Sequence, residues 1–270
     1  MGDLEPRTVV VVAAPPLPSF AMRRTVPLLT ILLAMALVAA ACGDDDSSAT
    51  TGGDEPGPAT TVVSPTTAPQ EGTITTPEYL AFRSQPAACD AQAPAPAREL
   101  RFDRPDDLGL SGTVTATIQT SCGPIEIELD ADRAPVTVNS FVFLAQSGYF
   151  DGTAVHRAYE GFMVQMGDPT ASGSGNPGYL LVDELPAADF SYTRGVVAMA
   201  NAGPNSAGSQ FFIMLDDYPL PPDYSVFGEV VSGMENLDAM VAVPMGPNPG
   251  DAVPSRPLET IYIERVDVSG

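Results

Sequence analysis

From residue 111 onward, apolar and polar side chains alternate in short runs. Val114, Ala116 and Ile118 are separated by threonines, with Gln119 following. Ile125, Ile127 and Leu129 are separated by Glu126 and Glu128. A period of two gives each run one buried and one wet face, so both are predicted strands. Ser121-Cys122-Gly123-Pro124 between them is a turn signal that joins them as a hairpin. The period then changes. After Pro135, the residues Val138, Phe141, Val142 and Ala145 recur at helical spacing on one face. Proline suits a first helical turn and glycine a stop, so this helix is predicted from Pro135 to just before Gly148. Further strands are predicted at 154–159, 162–166, 195–200, 210–215, 226–231 and 259–268, with a short helix at 234–241 before Pro244. Many short strands with few helices predict a mainly β domain, a closed antiparallel barrel rather than a βαβ fold. The sequence shows no internal repeat.

Residues 22–41 carry a different pattern. Met22-Arg23-Arg24 is a short positive start, Val26 to Ala41 is a sixteen-residue apolar stretch, and Ala39-Ala40-Ala41 is a small-residue cleavage site. This is the layout of an export signal. A permanent transmembrane helix fits less well, because spanning a bilayer takes about 20 apolar residues. Leu37-Val38-Ala39-Ala40-Ala41-Cys42 resembles a bacterial lipoprotein signal. The resemblance implies that Cys42 is lipidated and anchors the chain to the outer face of the cytoplasmic membrane. The alternatives are ordinary secretion with a free cysteine, or an uncleaved anchor. Residues 1–21 place acids and a proline run ahead of the positive start. They are expected to be an extension outside the true reading frame start at Met22.

Residues 42–76 hold few large apolar side chains, so they are expected to form a disordered tether after the lipidated cysteine. Residues 77–110 read as a proline-rich lead-in, and 111–270 as the folded domain. Besides Cys42 there are two cysteines, Cys89 and Cys122. In an exported chain an even count suggests a disulfide, which would staple the lead-in to the domain.

Charge and composition narrow the chemistry. Thirty-four acids face twelve basic residues, a net −22, and all twelve are arginine. Such a surface repels phosphate backbones, so no nucleic-acid partner is expected. Without lysine there is neither a Schiff-base nucleophile nor a Walker-A loop. With His156 as the single histidine, HExxH and multi-histidine metal sites are excluded, and no metal or cofactor is expected. Gly173-Ser-Gly-Asn-Pro-Gly178 formally matches GxGxxG, but a proline lies inside it and no helix follows. It reads as a surface loop with tight turns.

Two stretches carry the candidate chemistry. One is 155–168, Val-His-Arg-Ala-Tyr-Glu-Gly-Phe-Met-Val-Gln-Met-Gly-Asp; the other is 199–213, Met-Ala-Asn-Ala-Gly-Pro-Asn-Ser-Ala-Gly-Ser-Gln-Phe-Phe-Ile. In order and separation they resemble the two signature segments of the cyclophilin-type peptidyl-prolyl isomerases. Residues 134–141 resemble the family's first helix, and Val226-Phe227-Gly228 a late strand. The resemblance covers about residues 113–268. It implies an eight-stranded antiparallel barrel capped by two helices, with an outer groove that binds X-Pro segments. By the same resemblance, Arg157 is the catalytic cation, with His156 beside it as a supporting residue. Phe162, Met163, Phe212 and Leu220 would form the proline pocket. Gln165, Ala200, Asn201, Ala202 and Gln210 would line the peptide path.

These residue types suit amide rotation. The C–N bond resists rotation by roughly 18–20 kcal/mol because of its double-bond character. Rotation needs no covalent step, metal or redox group. A guanidinium that donates to the prolyl nitrogen favours the lone-pair-localised transition state. An apolar pocket holds the ring while the preceding carbonyl turns. Departures from the family pattern cluster at 216–225. Pro219 falls near the usual tryptophan, which implies weak cyclosporin inhibition. Tyr224 falls near the usual active-site histidine and joins the substrate-binding set. Ala154 replaces a usual phenylalanine and Met166 a usual glycine. The reading is a monomeric envelope isomerase acting on proline-containing polypeptides. The alternative is a non-catalytic module of the same fold that only binds them.

Overall fold

The computed structural model describes residues 72–269. The expectations for residues 1–21, for the signal at 22–41, for Cys42 and for the tether up to residue 71 lie outside the described residues.

The chain begins with β1 (Gly72–Thr73), α1 (Pro77–Arg83) and β2 (Arg98–Glu99). The hairpin follows as β3 (Thr113–Thr120) and β4 (Gly123–Asp130), then α2 (Pro135–Gln146), β5 (Arg157–Tyr159) and β6 (Met163–Met166). After a long loop come β7 (Val196–Met199), β8 (Phe211–Met214), β9 (Val226–Ser232) and α3 (Met234–Val241). A small hairpin of β10 (Met245–Gly246) and β11 (Arg256–Pro257) precedes β12 (Ile263–Ser269).

Eight strands form one antiparallel sheet in the order β12-β3-β4-β9-β7-β8-β6-β5. In the β3–β4 hairpin Thr113 faces Asp130 and Thr120 faces Gly123, which leaves Ser121-Cys122 as the turn. The alternating apolar residues of both strands enter the core, as their period requires. The strand expected at 154–159 is divided. Residues 157–159 pair with β6, whereas Ala154 bridges Tyr262 and the Val155 amide donates to Ile261 at 2.8 Å. The Gly152 amide donates to Ile263 and the Ile263 amide to Thr153, at 2.8 and 2.9 Å. These bonds join the stretch before β5 to the start of β12 and the residues just ahead of it.

α2 starts at Pro135, and Gly148 beyond its end has φ +68°. The expected single apolar face is too narrow a description, because Thr137, Val138 and every residue from Ser140 to Ala145 are buried. The lead-in supplies the cover. Phe102 packs edge-on against Phe143 at 4.9 Å, and Asn139 exchanges hydrogen bonds with the backbone of Asp106 and Leu108. Ala134 offers α2 no side-chain cap; the Glu184 carboxylate accepts from the Val136 and Thr137 amides instead. Phe141 on α2 lies 5.3–5.4 Å from the rings of Phe150, Phe211 and Phe227, at the centre of the core.

The N-terminal part departs most from expectation. The segment expected as tether to residue 76 is ordered from Gly72, since β1 pairs with β2 and Ile74 is buried. The lead-in adds a third helix, α1, to the two expected. Tyr79 and Phe82 of α1 are buried, and the Tyr79 hydroxyl donates to Gly152 O at 2.8 Å while accepting from Ala97 N at 2.7 Å. Leu100 and Phe102 enter the main core. Cys89 and Cys122 are joined by a disulfide, which ties the lead-in to the β3–β4 turn. Residues 77–110 are thus part of the folded unit. Their apolar residues are few, and Tyr79, Phe82, Leu100 and Phe102 among them are buried.

Candidate functional site

The sheet's alternation builds a site on its outer side. In β6, Val164 and Met166 enter the main core, while Met163 points the other way; in β8, Phe211 and Ile213 go in, while Phe212 and Met214 go out. The outward residues join Tyr192, Val196, Ala198 and Val226 in a second apolar cluster. Phe162, Ala200, Leu220 and Tyr224 pack on this cluster but stay partly exposed. The result is a groove of about 220 Å³ lined by Arg157, Phe162, Met163, Gln165, Ala200, Asn201, Phe212, Leu220 and Tyr224.

Each wall has a local cause. Arg157 on β5 lies opposite Gln165 on β6, which lies opposite Phe212 on β8. That register carries a polar row across the floor. Arg157 Nη1 donates to Gln165 Oε1 at 3.2 Å, and Gln165 Nε2 donates to Gln210 Oε1 at 2.9 Å. Gln210 Nε2 continues to Gly175 O at 3.0 Å. Phe162 stands at the turn between β5 and β6, where its amide donates to Tyr159 O at 3.0 Å. Its ring lies 4.4 Å from that of Tyr218 and 6.0 Å from the Arg157 guanidinium carbon. Tyr224 meets Phe212 edge-on at 5.4 Å. Its backbone is held on both sides by the Tyr192 hydroxyl, which donates to Tyr224 O at 2.9 Å and accepts from Tyr224 N at 3.2 Å. Asn201 Nδ2 donates to Asp223 O at 2.8 Å, so the loop after β7 is tied to the segment that delivers Leu220 and Tyr224.

A second cavity of about 330 Å³ shares Gln165, Ala200 and Asn201 with the first and adds Ala202, Gln210 and the 173–176 loop. Buried Asp168 shapes that loop. It accepts from the amides of Thr170, Gly173 and Gly175 at 2.8, 2.6 and 3.1 Å. The glycine-rich stretch is therefore a turn wrapped on a carboxylate, as the surface-loop reading expects.

All the substrate-side residues predicted from the sequence thus surround these two adjoining cavities. His156 does not reach the groove. It is buried, and neither ring nitrogen has a hydrogen-bond partner among the described residues. Burial lowers its pKa; Asp168 opposes this and Arg157 adds to it, so the ring is neutral at pH 7. Two residues were not anticipated. Tyr218 stacks on Phe162 at the groove rim. Asp251 receives two hydrogen bonds from Arg157, Nε to Oδ2 at 2.7 Å and Nη2 to Oδ1 at 2.5 Å. An aromatic inside the divergent 216–225 segment was a usable signal for Tyr218. Nothing in a proline- and glycine-rich hairpin points from Asp251 to an arginine 94 residues earlier. Among the described residues no cluster of histidine, cysteine and acids could hold a metal.

Residues 115–268 match the family model described as cyclophilin type peptidyl-prolyl cis-trans isomerase/CLD. A peptidyl-prolyl cis-trans isomerase of Arabidopsis thaliana is 40% identical over 159 residues, covering 57% of this chain and 96% of the relative. The crystal structure of a cyclophilin type peptidyl-prolyl cis-trans isomerase of Cryptosporidium parvum superposes with a TM-score of 0.54 at 31% identity, covering 58% of this chain and 98% of that one. A second structure of that Cryptosporidium protein, determined in the presence of the dipeptide Ala-Pro, gives a TM-score of 0.53 at 31% identity over 58% and 99% of the two chains. With more than half of its length matched, and with the expected arginine set over an apolar groove, this chain belongs to the cyclophilin-type peptidyl-prolyl cis-trans isomerase family.

Proposed function

We propose that the chain catalyses cis/trans isomerisation of X-Pro bonds in exported polypeptides, with Arg157 as its catalytic residue. The carrying observation is the placement of Arg157 at the edge of the apolar groove. A prolyl ring on Met163, Phe212 and Leu220 would present its nitrogen to the guanidinium. Three of the five guanidinium N–H donors are engaged by Asp251 and Gln165, which leaves two for substrate. Donation to the prolyl nitrogen favours the form whose lone pair has left the amide resonance, and so lowers the rotation barrier. Gln165, Asn201 and Gln210 offer fixed polar groups to the flanking backbone. The neighbouring cavity at Ala202 and the 173–176 loop would take the residues before X. Arginine suits the role because it stays charged and presents a rigid fork.

The cellular setting is part of the same reading. The export pattern at 22–41 and Cys42 support a lipid anchor at the outer face of a bacterial cytoplasmic membrane, where the chain would act as a monomer. The Cys89–Cys122 bridge suits an oxidising compartment. The bonds between the flanks of β5 and β12 support a sheet closed into a barrel.

The test is exchange spectroscopy on an Ala-Pro-containing peptide with the full chain and with Arg157→Ala. We expect the variant to lose about 100-fold or more in exchange rate while peptide affinity stays within a few-fold. Unchanged exchange in the variant would overturn the role of Arg157. A wild-type chain that binds the peptide without speeding exchange would instead be a binding module.

A further inference from the structure

The β10–β11 hairpin lies with its loop against Arg157; with Arg157 and Gln165 that loop lines a cavity of about 560 Å³ beside the proline groove. Its pairing is short, Met245 with Pro257 and Gly246 with Arg256, and the loop between carries Asp251. This loop is anchored at several points. The Ser255 amide donates to Gly246 O at 3.1 Å, and the Ala158 amide of β5 donates to Ser255 O at 2.7 Å. The base of the loop is therefore bonded to the residue next to Arg157. Inside the loop the Ser255 hydroxyl donates to Asp251 Oδ2, and Asn248 Nδ2 donates to Ser255 Oγ at 3.1 Å. Asp251 in turn takes both Nε and Nη2 of Arg157. The carboxylate side chain is 7% exposed and the arginine 28%.

We infer that Asp251 is the positioning residue of this isomerase: its carboxylate fixes the plane of the Arg157 guanidinium so that Nη1 and its neighbour face the groove before a peptide arrives. The inference rests on the role assigned above to Arg157. A two-pronged carboxylate–guanidinium contact defines a plane, which a single hydrogen bond does not. An arginine side chain otherwise has many rotamers to lose on ordering, and that loss would fall on the transition state. Here the folded loop has already absorbed it. The side chain of Gln165 closes the third side at Nη1, so the two bonds left for substrate point where Gln165 and Asp251 do not. The carboxylate stays ionised through the physiological range. Burial raises its pKa, but the hydrogen bonds from Arg157 and Ser255 and the arginine's charge together hold it below 3.8. Asp251 is not itself part of the groove lining and meets the 220 Å³ groove through Arg157.

The experiment compares Asp251→Asn, Asp251→Ala and Asp251→Glu with the full-length wild type and with Arg157→Ala. The readouts are kcat and KM for an Ala-Pro peptide and the Arg157 Nε–H resonance. Asp251→Asn keeps the shape of the side chain, so it reports on the contact even if Asp251→Ala disturbs the loop. We expect Asp251→Asn to lower kcat about tenfold with KM within twofold, and to broaden or shift the Nε–H signal. Asp251→Glu, which keeps the charge, is expected to recover part of kcat. Wild-type kcat and an unmoved Nε–H signal in Asp251→Asn, beside a crippled Arg157→Ala, would overturn the inference and leave the role of Arg157 standing. An active Arg157→Ala would overturn both. A fall in melting temperature with kcat intact would make Asp251 a purely structural residue, and the inference would fail.

Discussion

Phe211 and Phe212 are neighbours on one strand with opposite fates. Phe211 lies in the main core, with its ring 5.3 Å from Phe141 and 5.9 Å from Phe150. Phe212 lies in the outer cluster, where Tyr224 meets it at 5.4 Å and the groove opens above. Both faces of the sheet are apolar here, so apolarity does not separate core from site. What covers each face does. Helix α2 and the lead-in close the inner side. The outer side is edged by partly exposed residues, Phe162, Ala200, Leu220 and Tyr224 among them, which leave room for a ring from another chain. His156 and Arg157, at the start of β5, repeat the contrast, one buried with no hydrogen-bond partner on its ring among the described residues, the other at the edge of the groove.

The largest expected effect tests that contrast directly. Phe211→Ala should cost about 3–5 kcal/mol of stability, because an aromatic is removed from the closed core. Phe212→Ala should cost about 0.5–3 kcal/mol and raise KM for an Ala-Pro peptide. Denaturant melts and exchange kinetics on the two variants decide it: equal stability losses with an unmoved KM would make the two faces one core. Next comes the cover itself. Replacing Cys89 and Cys122 by serine should cost about 2–5 kcal/mol, if the lead-in belongs to the closed side as Phe102 and Tyr79 indicate. A melting temperature unmoved by the double variant would reduce the lead-in to a passenger. The smallest effect concerns His156. In the unfolded chain this ring takes up a proton near pH 6.5. The native ring resists it, because burial lowers its pKa against the pull of Asp168 and with the push of Arg157. Below about pH 6.5 the unfolded state therefore binds more protons, and stability falls by at most about 1.4 kcal/mol per pH unit. It is fully present above that pH. With His156 the only histidine, a melting series from pH 7.5 to 5.5 should show the slope in wild type and lose it in His156→Asn.

The legible parts of the fold were those whose period is written in single segments. The β3–β4 hairpin, the span of α2 and α3, and the approximate places of the later strands follow from spacing, Pro135, Gly148 and Pro244. The groove residues were legible because they sit in two long stretches that resemble one family. What escaped depends on contacts across the chain. α1 has seven residues and follows a proline-rich approach, so its Tyr79 and Phe82 gave no period to read. The extra burial of α2 comes from Phe102 and Asp106, thirty or more residues upstream. The pairing of Gly72, inside the segment expected as tether, depends on a partner at Glu99. Asp251 is set by a hairpin whose two short strands show no alternation.

The Cys89–Cys122 bridge has one more consequence. It closes residues 89–122 into a covalent ring, and the exposed stretch around 103–107 lies within it. A single protease cut in that stretch opens the ring but leaves the chain in one piece. The part before the cut would then stay covalently joined to the rest through sulfur alone. On a gel such a nicked molecule would run as two fragments only after reduction, whereas an unbridged chain cut at the same place would run as two fragments without it.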